Sequence, residues 1–394
     1  MYNRVAVRNY LLLTIPFLII FIATGLDFKI IWDEGLHLAG IYQFRDSSFS
    51  EFDLRMYPSS TTPLFHIILS IFSKIIGSEL WKLRFINLLT GFFTVLIFYR
   101  IARNMKNQYP FLNTVLFLFF PYFLVLSSSV MTDILALFFG LLALMFYIEN
   151  NSTRNMLFGS IFSTLAVLTR QFWLFLPAGM ILYYILTYKN NHKKLKEIFL
   201  FFIPIIVFIP FVLYWGGMTP PALKENDFYV ATNFNQLNQI GYFLLFLGFY
   251  FFPYVLTVSL SFKSKFKYIY LTLPIIFIIF YNIINECNGT TCQIMHFSNY
   301  LYPFLFFILL FISLTIIIAY LSKNEFNLKL MLFILSYLGV IILTPYISER
   351  YLMVFVPFLI LALFDKIERR VWVYYLWILI MVVFSTIYFI SKIY

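Results

Sequence analysis

Nearly every stretch of about 20 residues in this chain is a continuous apolar run, and each run closes on a cluster of charged or turn-forming residues. That is the length a helix needs to cross the hydrocarbon core of a bilayer. Hydrocarbon offers the backbone no hydrogen-bond partner, so a spanning segment must be a helix or part of a closed barrel. The runs of Leu, Ile and Phe are continuous rather than alternating, which selects helices. Composition agrees: 62% of residues are hydrophobic and 11% charged, whereas a soluble domain carries about a quarter charged residues to keep its surface wet. The expectation is an all-α, polytopic integral membrane protein with roughly 13 transmembrane helices.

The spans fall near Tyr10–Leu26, Arg84–Arg103, Pro110–Leu126, Val130–Ile148, Met156–Thr169, Gln171–Tyr188, Ile198–Gly217, Asn238–Leu260, Tyr268–Asn285, Tyr300–Tyr320, Leu328–Pro345, Tyr351–Phe364 and Val371–Ile390. Arg4 and Arg8 precede the first run and no small-residue cleavage site follows, so that run reads as a retained span. With the N-terminus inside, basic clusters such as Lys189/Lys193/Lys194/Lys196 and Lys366/Arg369/Arg370 all fall inside. The net charge of +11 is thereby a topology signal and not a nucleic-acid footprint. Thr62–Gly77 is apolar but carries His66, Ser70, Ser73 and Lys74, which suits an interfacial helix. The whole of 1–394 reads as one domain, with interfacial helices in a first outer loop at about 27–83 and further outer loops at Met218–Leu237, Glu286–Asn299 and Tyr346–Arg350. Cys287 and Cys292 share one of these loops, and Asn288–Gly289–Thr290 beside them is a glycosylation sequon.

Chemistry-bearing residues crowd the outer side. Asp33 and Glu34 follow the first span directly. A carboxylate near a low-dielectric boundary holds its proton more tightly and can serve as general base toward a hydroxyl; the same two acids also suit the first turn of a helix, and the local sequence weighs both readings equally. His37 lies one helical turn beyond Asp33. Asp133 sits just inside a span beside Ser127–Ser129 and Thr132, where an acid is costly and marks function, or else begins the helix in solvent. Arg170–Gln171 breaks the positive-inside pattern. The planar guanidinium fits phosphate or carboxylate, with snorkelling or pairing to Asp133 as alternatives. Glu349–Arg350–Tyr351 puts a second outer arginine at a helix start, where backbone N–H groups also attract anions; a Glu349–Arg350 pair is the plainer option. Arg170 and Arg350 together suit a lipid phosphate. The loop with Lys224, Glu225, Asp227, Asn233 and Gln236 is polar enough for sugar hydroxyls, and His296 suits an interfacial position.

Taken in order, the DE-x-x-H of Asp33, Glu34 and His37, the Phe49, Ser50, Phe52 and Asp53 pattern, Thr61–Thr62–Pro63, Thr132–Asp133, Arg170–Gln171 and Glu349–Arg350–Tyr351 resemble the C-type (GT-C) glycosyltransferase superfamily. Within it the nearest likeness is to the dolichyl-phosphate-glucose α-1,2-glucosyltransferases, with similarity to the lipid A aminoarabinose and protein O-mannosyl transferases at the DE pair and the later Asp. The resemblance implies a GT-C-like fold with juxtamembrane helices in the first outer loop, and an inverting transfer from a polyprenyl-phosphate sugar to a lipid-linked glycan or other acceptor. Asp33, with Glu34 beside it, would act as base; Asp133 would orient the acceptor or a bound divalent cation; Arg170 and Arg350 would stabilise the leaving phosphate, with His37, Gln171 and Glu349 lining the site. No other cofactor is implied. The site would face the periplasm, ER lumen or cell exterior from a plasma or ER membrane. The rival reading is a flippase for polyprenyl-linked glycans, which calls for ionisable residues midway along the spans and symmetry between halves; neither pattern is visible.

Overall fold

A computed structural model of the chain describes residues 2–47, 54–149, 152–191, 194, 197–224, 238–257, 302–321, 327–342, 349–367 and 370–393. Phe49, Ser50, Phe52, Asp53, the Glu225–Gln236 polar loop, the Tyr268–Asn285 span, Cys287, Cys292, the Asn288 sequon and His296 lie outside these residues. The described residues are helical with no strand, and seven helices are long and apolar enough to cross a membrane; four shorter apolar helices accompany them. The chain divides into two compact units: residues 1–106, 110–230 and 381–394, and residues 107–109 and 231–380.

Among the described residues of the first unit, the longer helices are α1 (Tyr2–Thr24), α2 (Glu34–Asp46), α3 (Leu64–Ile76), α4 (Leu80–Asn104), α5 (Pro110–Leu118), α6 (Phe123–Ser128), α7 (Thr132–Glu149), α8 (Thr153–Thr169), α9 (Phe175–Tyr188) and α10 (Ile198–Trp215). The expected span Pro110–Leu126 is broken into α5 and α6. Pro121 has no N–H to give a helical ladder and disfavours helical geometry in the residue before it, and Tyr122 follows with a left-handed φ of 77°. α3 is 13 residues long, about 20 Å at 1.5 Å per residue and too short for the hydrocarbon core. Its faces are inverted: His66, Ser70 and Ser73 are buried, while Ile71, Phe72, Ile75 and Ile76 are exposed. Such a helix belongs against lipid with its polar side turned inward.

One charged pair ties the end of this unit together. α4 begins a turn before the expected boundary, so Arg84 lies inside the helix and is fully buried. Its Nε donates to Glu34 Oε1 at 2.9 Å and its Nη2 to Oε2 at 2.7 Å. Nη1 donates to the carbonyls of Leu26 (3.0 Å) and Phe28 (2.9 Å), and Nη2 to that of Lys29 at 3.1 Å. Every one of the five guanidinium N–H groups therefore has an acceptor, and the plane lies 3.7 Å from the Phe28 ring centroid. Glu34, itself fully buried, also accepts from the backbone N–H of Ile31 (3.2 Å) and Val130 (2.8 Å). A single ion pair thus fixes the loop after α1, the start of α2, the first turn of α4 and the turn before α7. Around it close Leu38, Ile41, Phe65, Leu69, Leu83 and Val130.

Close helix approach comes from glycine. A Cβ on Gly140 of α7 would fall 2.0 Å from the Trp173 ring, and one on Gly159 of α8 would fall 2.2 Å from the Tyr147 ring. Small residues at such crossings let transmembrane helices pack without a hydrophobic drive between them. In the second unit, α11 (Asn238–Phe251) and α12 (Tyr302–Leu321) use the same device at Gly248, which faces the Leu309 carbonyl; Ser313 of α12 donates to the Leu244 carbonyl of α11. Tyr337, on α13 (Leu328–Ile342), donates to the carbonyl of Tyr351 at 2.7 Å.

Two outcomes follow for stability. Arg84→Met leaves a buried carboxylate without its counter-ion and should cost about 3–5 kcal/mol; adding Glu34→Gln should recover part of that loss in detergent-phase thermal unfolding. Equal transitions for the single and double variants would show that the pair carries no such coupling. Gly140→Ala and Gly159→Ala should each cost about 1–3 kcal/mol by overpacking, whereas Gly35→Ala, with nothing nearer than 3.9 Å, should be neutral or slightly stabilising.

Candidate functional site

Of the residues singled out in the first unit, Glu34 is bonded to Arg84 and to the turn before Asp133, and Asp133 to Arg170. Asp33 precedes α2 and is half-buried; its carboxylate makes no capping hydrogen bond to the helix. Of the two readings of the acidic pair, capping is therefore not what the Asp33 side chain does. Trp32, just before it, takes a left-handed φ of 47°, an unfavourable conformation for a bulky residue that the surrounding structure must hold in place. The Trp32 ring contacts that of Tyr122 (centroids 6.2 Å apart), itself left-handed, and Tyr122 contacts Tyr388 at 4.9 Å. Adjacent carboxylates thus have unlike surroundings: Glu34 is enclosed and saturated with donors, and Asp33 reaches the edge of the protein.

The Val130 N–H that Glu34 accepts belongs to the turn that opens α7, three residues before Asp133. Asn87 of α4 steadies that turn by donating to the carbonyls of Leu126 and Ser129. Asp133 lies in the first turn of α7, where the helix N-terminus favours an acid, but it is no solvated helix start. It is only 2% exposed, and its Oδ1 accepts from Nη1 of Arg170. Arg170 leaves α8 in extended backbone conformation (φ −149°, ψ 121°), which turns its side chain toward α7, and it stacks 5.3 Å from the Phe172 ring centroid. Both partners are buried, so each makes the other's burial tolerable. A divalent cation on Asp133 would sit against the guanidinium already there, and among the described residues no group of three His, Cys, Asp or Glu could hold a metal. The residues do not fit a cation, and no chemical step is assigned to one.

Gln171 is largely buried and uses its amide to join two loops, donating to the carbonyls of Ser60 (2.7 Å) and Met218 (3.3 Å). Thr62 donates to the Val167 carbonyl at 2.7 Å and seats the start of α3 on the end of α8. His37 lies on the inner face of α2; its backbone N–H donates to the Asp33 carbonyl at 3.1 Å and its Nδ1 lies 3.1 Å from Nε2 of His66. In the second unit, Glu349 and Arg350 begin a short helix, Glu349–Leu352. The Arg350 side chain is mostly buried and Nη2 donates to the Tyr351 hydroxyl at 3.2 Å.

Three participants were not legible as such. Arg84 reads as the basic flank of a span until the helix is seen to start at Leu80; the available signal was an arginine a full turn inside an apolar helix, where charge is expensive. His66 and Tyr57 sit in unremarkable local sequence, and only the fold brings them to His37.

A family model described as dolichyl-phosphate-mannose-protein mannosyltransferase matches residues 60–215, less than half of the chain. That stretch contains Arg84, Asp133, Arg170 and Gln171. No curated protein matches the chain. Among solved structures, the crystal structure of ArnT from Cupriavidus metallidurans in the apo state is similar to it, at 13% sequence identity and a TM-score of 0.44, covering 98% of this chain and 78% of that one.

Proposed function

We propose that the protein is a membrane glycosyltransferase that moves a sugar from a polyprenyl-phosphate donor to a hydroxyl of a lipid-linked glycan or other acceptor, on the outer face of its membrane. The observation that carries this reading is the pairing of a half-buried, non-capping Asp33 with a buried Asp133–Arg170 pair, joined through Glu34 and the Val130 turn. The match of residues 60–215 to a mannosyltransferase family model supports the same class.

In this mechanism the acceptor oxygen attacks the anomeric carbon as Asp33 takes its proton. The bond from that carbon to the phosphate oxygen breaks, and its electron pair leaves with the polyprenyl phosphate. Attack opposite the leaving group inverts the configuration. Arg170 stabilises the charge that builds on the phosphate, and Asp133 holds the guanidinium in place beforehand, so that little reorganisation is needed as the bond breaks. Gln171 is assigned to the wall of the site. Glu34, with its oxygens committed to Arg84 and two backbone N–H groups, is assigned to building the site and not to proton transfer. A membrane location follows from the donor, whose sugar-phosphate sits at headgroup level while its chain stays in hydrocarbon.

The test is transfer from radiolabelled polyprenyl-phosphate glucose, mannose and aminoarabinose by purified protein supplemented with host lipid extract. Wild type should transfer one of them. Asp33→Asn should keep its fold and lose about 10²–10⁴-fold in rate, and Arg170→Gln about 10²–10³-fold. A folded Asp33→Asn protein with wild-type rate would remove Asp33 as base. Failure of wild type on every donor, together with flipping of the labelled lipids across a vesicle bilayer, would favour a flippase instead.

A further inference from the structure

The turn that presents Asp33 carries a tryptophan where its backbone suits glycine. The Glu34 N–H donates to the Ile31 carbonyl at 3.0 Å, which closes a four-residue turn with Trp32 and Asp33 at its centre. Trp32 has a φ of 47°, and Asp33 a φ of −84° with ψ 8°. A positive φ at the first central residue alone marks a type II′ turn, and that position is dominated by Gly, Asn and Asp, because a larger side chain there crowds the backbone. Such strain persists only where the surrounding structure over-determines it, and it collects at functional sites.

A row of aromatic rings holds Trp32 there. Its ring centroid lies 6.2 Å from that of Tyr122, and Tyr122 meets Tyr388 edge-on at 4.9 Å. Tyr122 is itself left-handed, at φ 77°, and buried. Its carbonyl accepts from the Leu126 N–H at 2.8 Å, which fixes it to the first turn of α6. Tyr388 lies on the helix Val371–Ile393, in the stretch 381–394 that belongs to the first unit. One helical turn further on, the Lys392 ammonium sits 5.4 Å from the Tyr388 ring centroid. The turn is therefore held at two points by unlike means. Ile31 and Glu34 are bonded into the Arg84 ion pair, while Trp32 is held by ring contact. Asp33 stands between them in the chain.

Resting on the transferase reading above, we infer that Trp32 is a positioning residue for the base: with Tyr122 and Tyr388 it braces the Ile31–Glu34 turn at a second point and fixes the direction in which Asp33 presents its carboxylate. Glycine would satisfy the backbone of this turn but give Tyr122 nothing to hold, and Asp33 would swing about the bonds at Ile31 and Glu34. A base must lie within hydrogen-bond reach of the proton it takes, and a misplacement of about 1 Å can cost about 10²-fold in rate. A tryptophan that only marked the membrane interface would need neither the left-handed backbone nor a ring partner.

The experiment compares Trp32→Gly, Trp32→Ala and Trp32→Phe with wild type, as full-length protein in detergent, by thermal unfolding and by the transfer assay above. Glycine relieves the strain and alanine does not, so Trp32→Gly should unfold at a higher temperature than Trp32→Ala. Both should lose about 10–100-fold in kcat with the donor KM unchanged, because the ring places the base and does not touch substrate. Trp32→Phe, which returns a ring to Tyr122, should recover most of the rate, and Tyr388→Leu should lower kcat in the same way as the glycine variant. The brace itself is read without transfer. The chain has six tryptophans, so the ¹⁹F NMR signal of fluorotryptophan at position 32 is assigned from Trp32→Phe, and Tyr122→Leu and Tyr388→Leu should each move it. Transfer that follows stability, with Trp32→Gly as fast as wild type, overturns the inference, and so does a Trp32 signal unmoved in both tyrosine variants. A brace detected by NMR with no transfer by wild type from any donor would instead overturn the transferase reading, and the role of Trp32 with it.

Discussion

The arrangement at this end of the first unit depends on one buried ion pair. Taking Glu34 and Arg84 out of water is expensive, and their mutual attraction offsets that cost only if the remaining donors and acceptors are also used. Here they are: the guanidinium reaches three carbonyls of the loop between Leu26 and Lys29, and the carboxylate reaches two backbone N–H groups. The pair therefore converts an irregular loop, whose buried carbonyls would otherwise lack partners, into a rigid mount. The left-handed backbone at Leu26 and Trp32 is held by the same contacts, so the orientation of Asp33 is inherited from Arg84, 51 positions away in sequence.

This dependence separates two acids that look equivalent in the sequence. Proton affinity follows environment, and two carboxylates with unlike surroundings take unlike roles. Glu34 is enclosed, with its oxygens committed to the Arg84 guanidinium and two backbone N–H groups, which is what a structural anchor needs. Asp33 stands at the edge of the same turn. A second charge-balanced pair, Asp133 with Arg170, begins three residues beyond the Val130 N–H that Glu34 holds.

Much of the architecture was legible in the sequence because membranes simplify the problem. Hydrocarbon forces helices, and their lengths and the basic clusters mark them out, so most expected spans coincide with helices to within a few residues: Ile198–Gly217 became Ile198–Trp215 and Val371–Ile390 became Val371–Ile393. Thr62–Gly77 was legible as a helix short of a full span from its serines and histidine, which form its buried face. The break at Pro121 was missed because hydropathy is blind to backbone geometry. Of the residues singled out, Asp133 and Arg170 are buried against each other, as the cost of charge away from water requires. The partner of Arg170 remained ambiguous, since an arginine that suits a phosphate suits a carboxylate equally well. Arg84, Tyr57 and His66 were illegible for a different reason: their meaning lies in contacts across 50, 9 and 29 positions of sequence, which no local pattern encodes.

The polar groups of this region share one design constraint. Where water is scarce, a polar residue contributes to a single native arrangement only if its hydrogen bonds are complete, and a half-satisfied network is worse than an apolar one. Glu34 with Arg84 meets that condition in full, Asp133 with Arg170 is a second buried, charge-balanced pair, and Tyr57, His66 and His37 form a third buried polar group. A site built in this way can change its substrate through its loops without disturbing the charges beneath, because those charges are already paid for by one another.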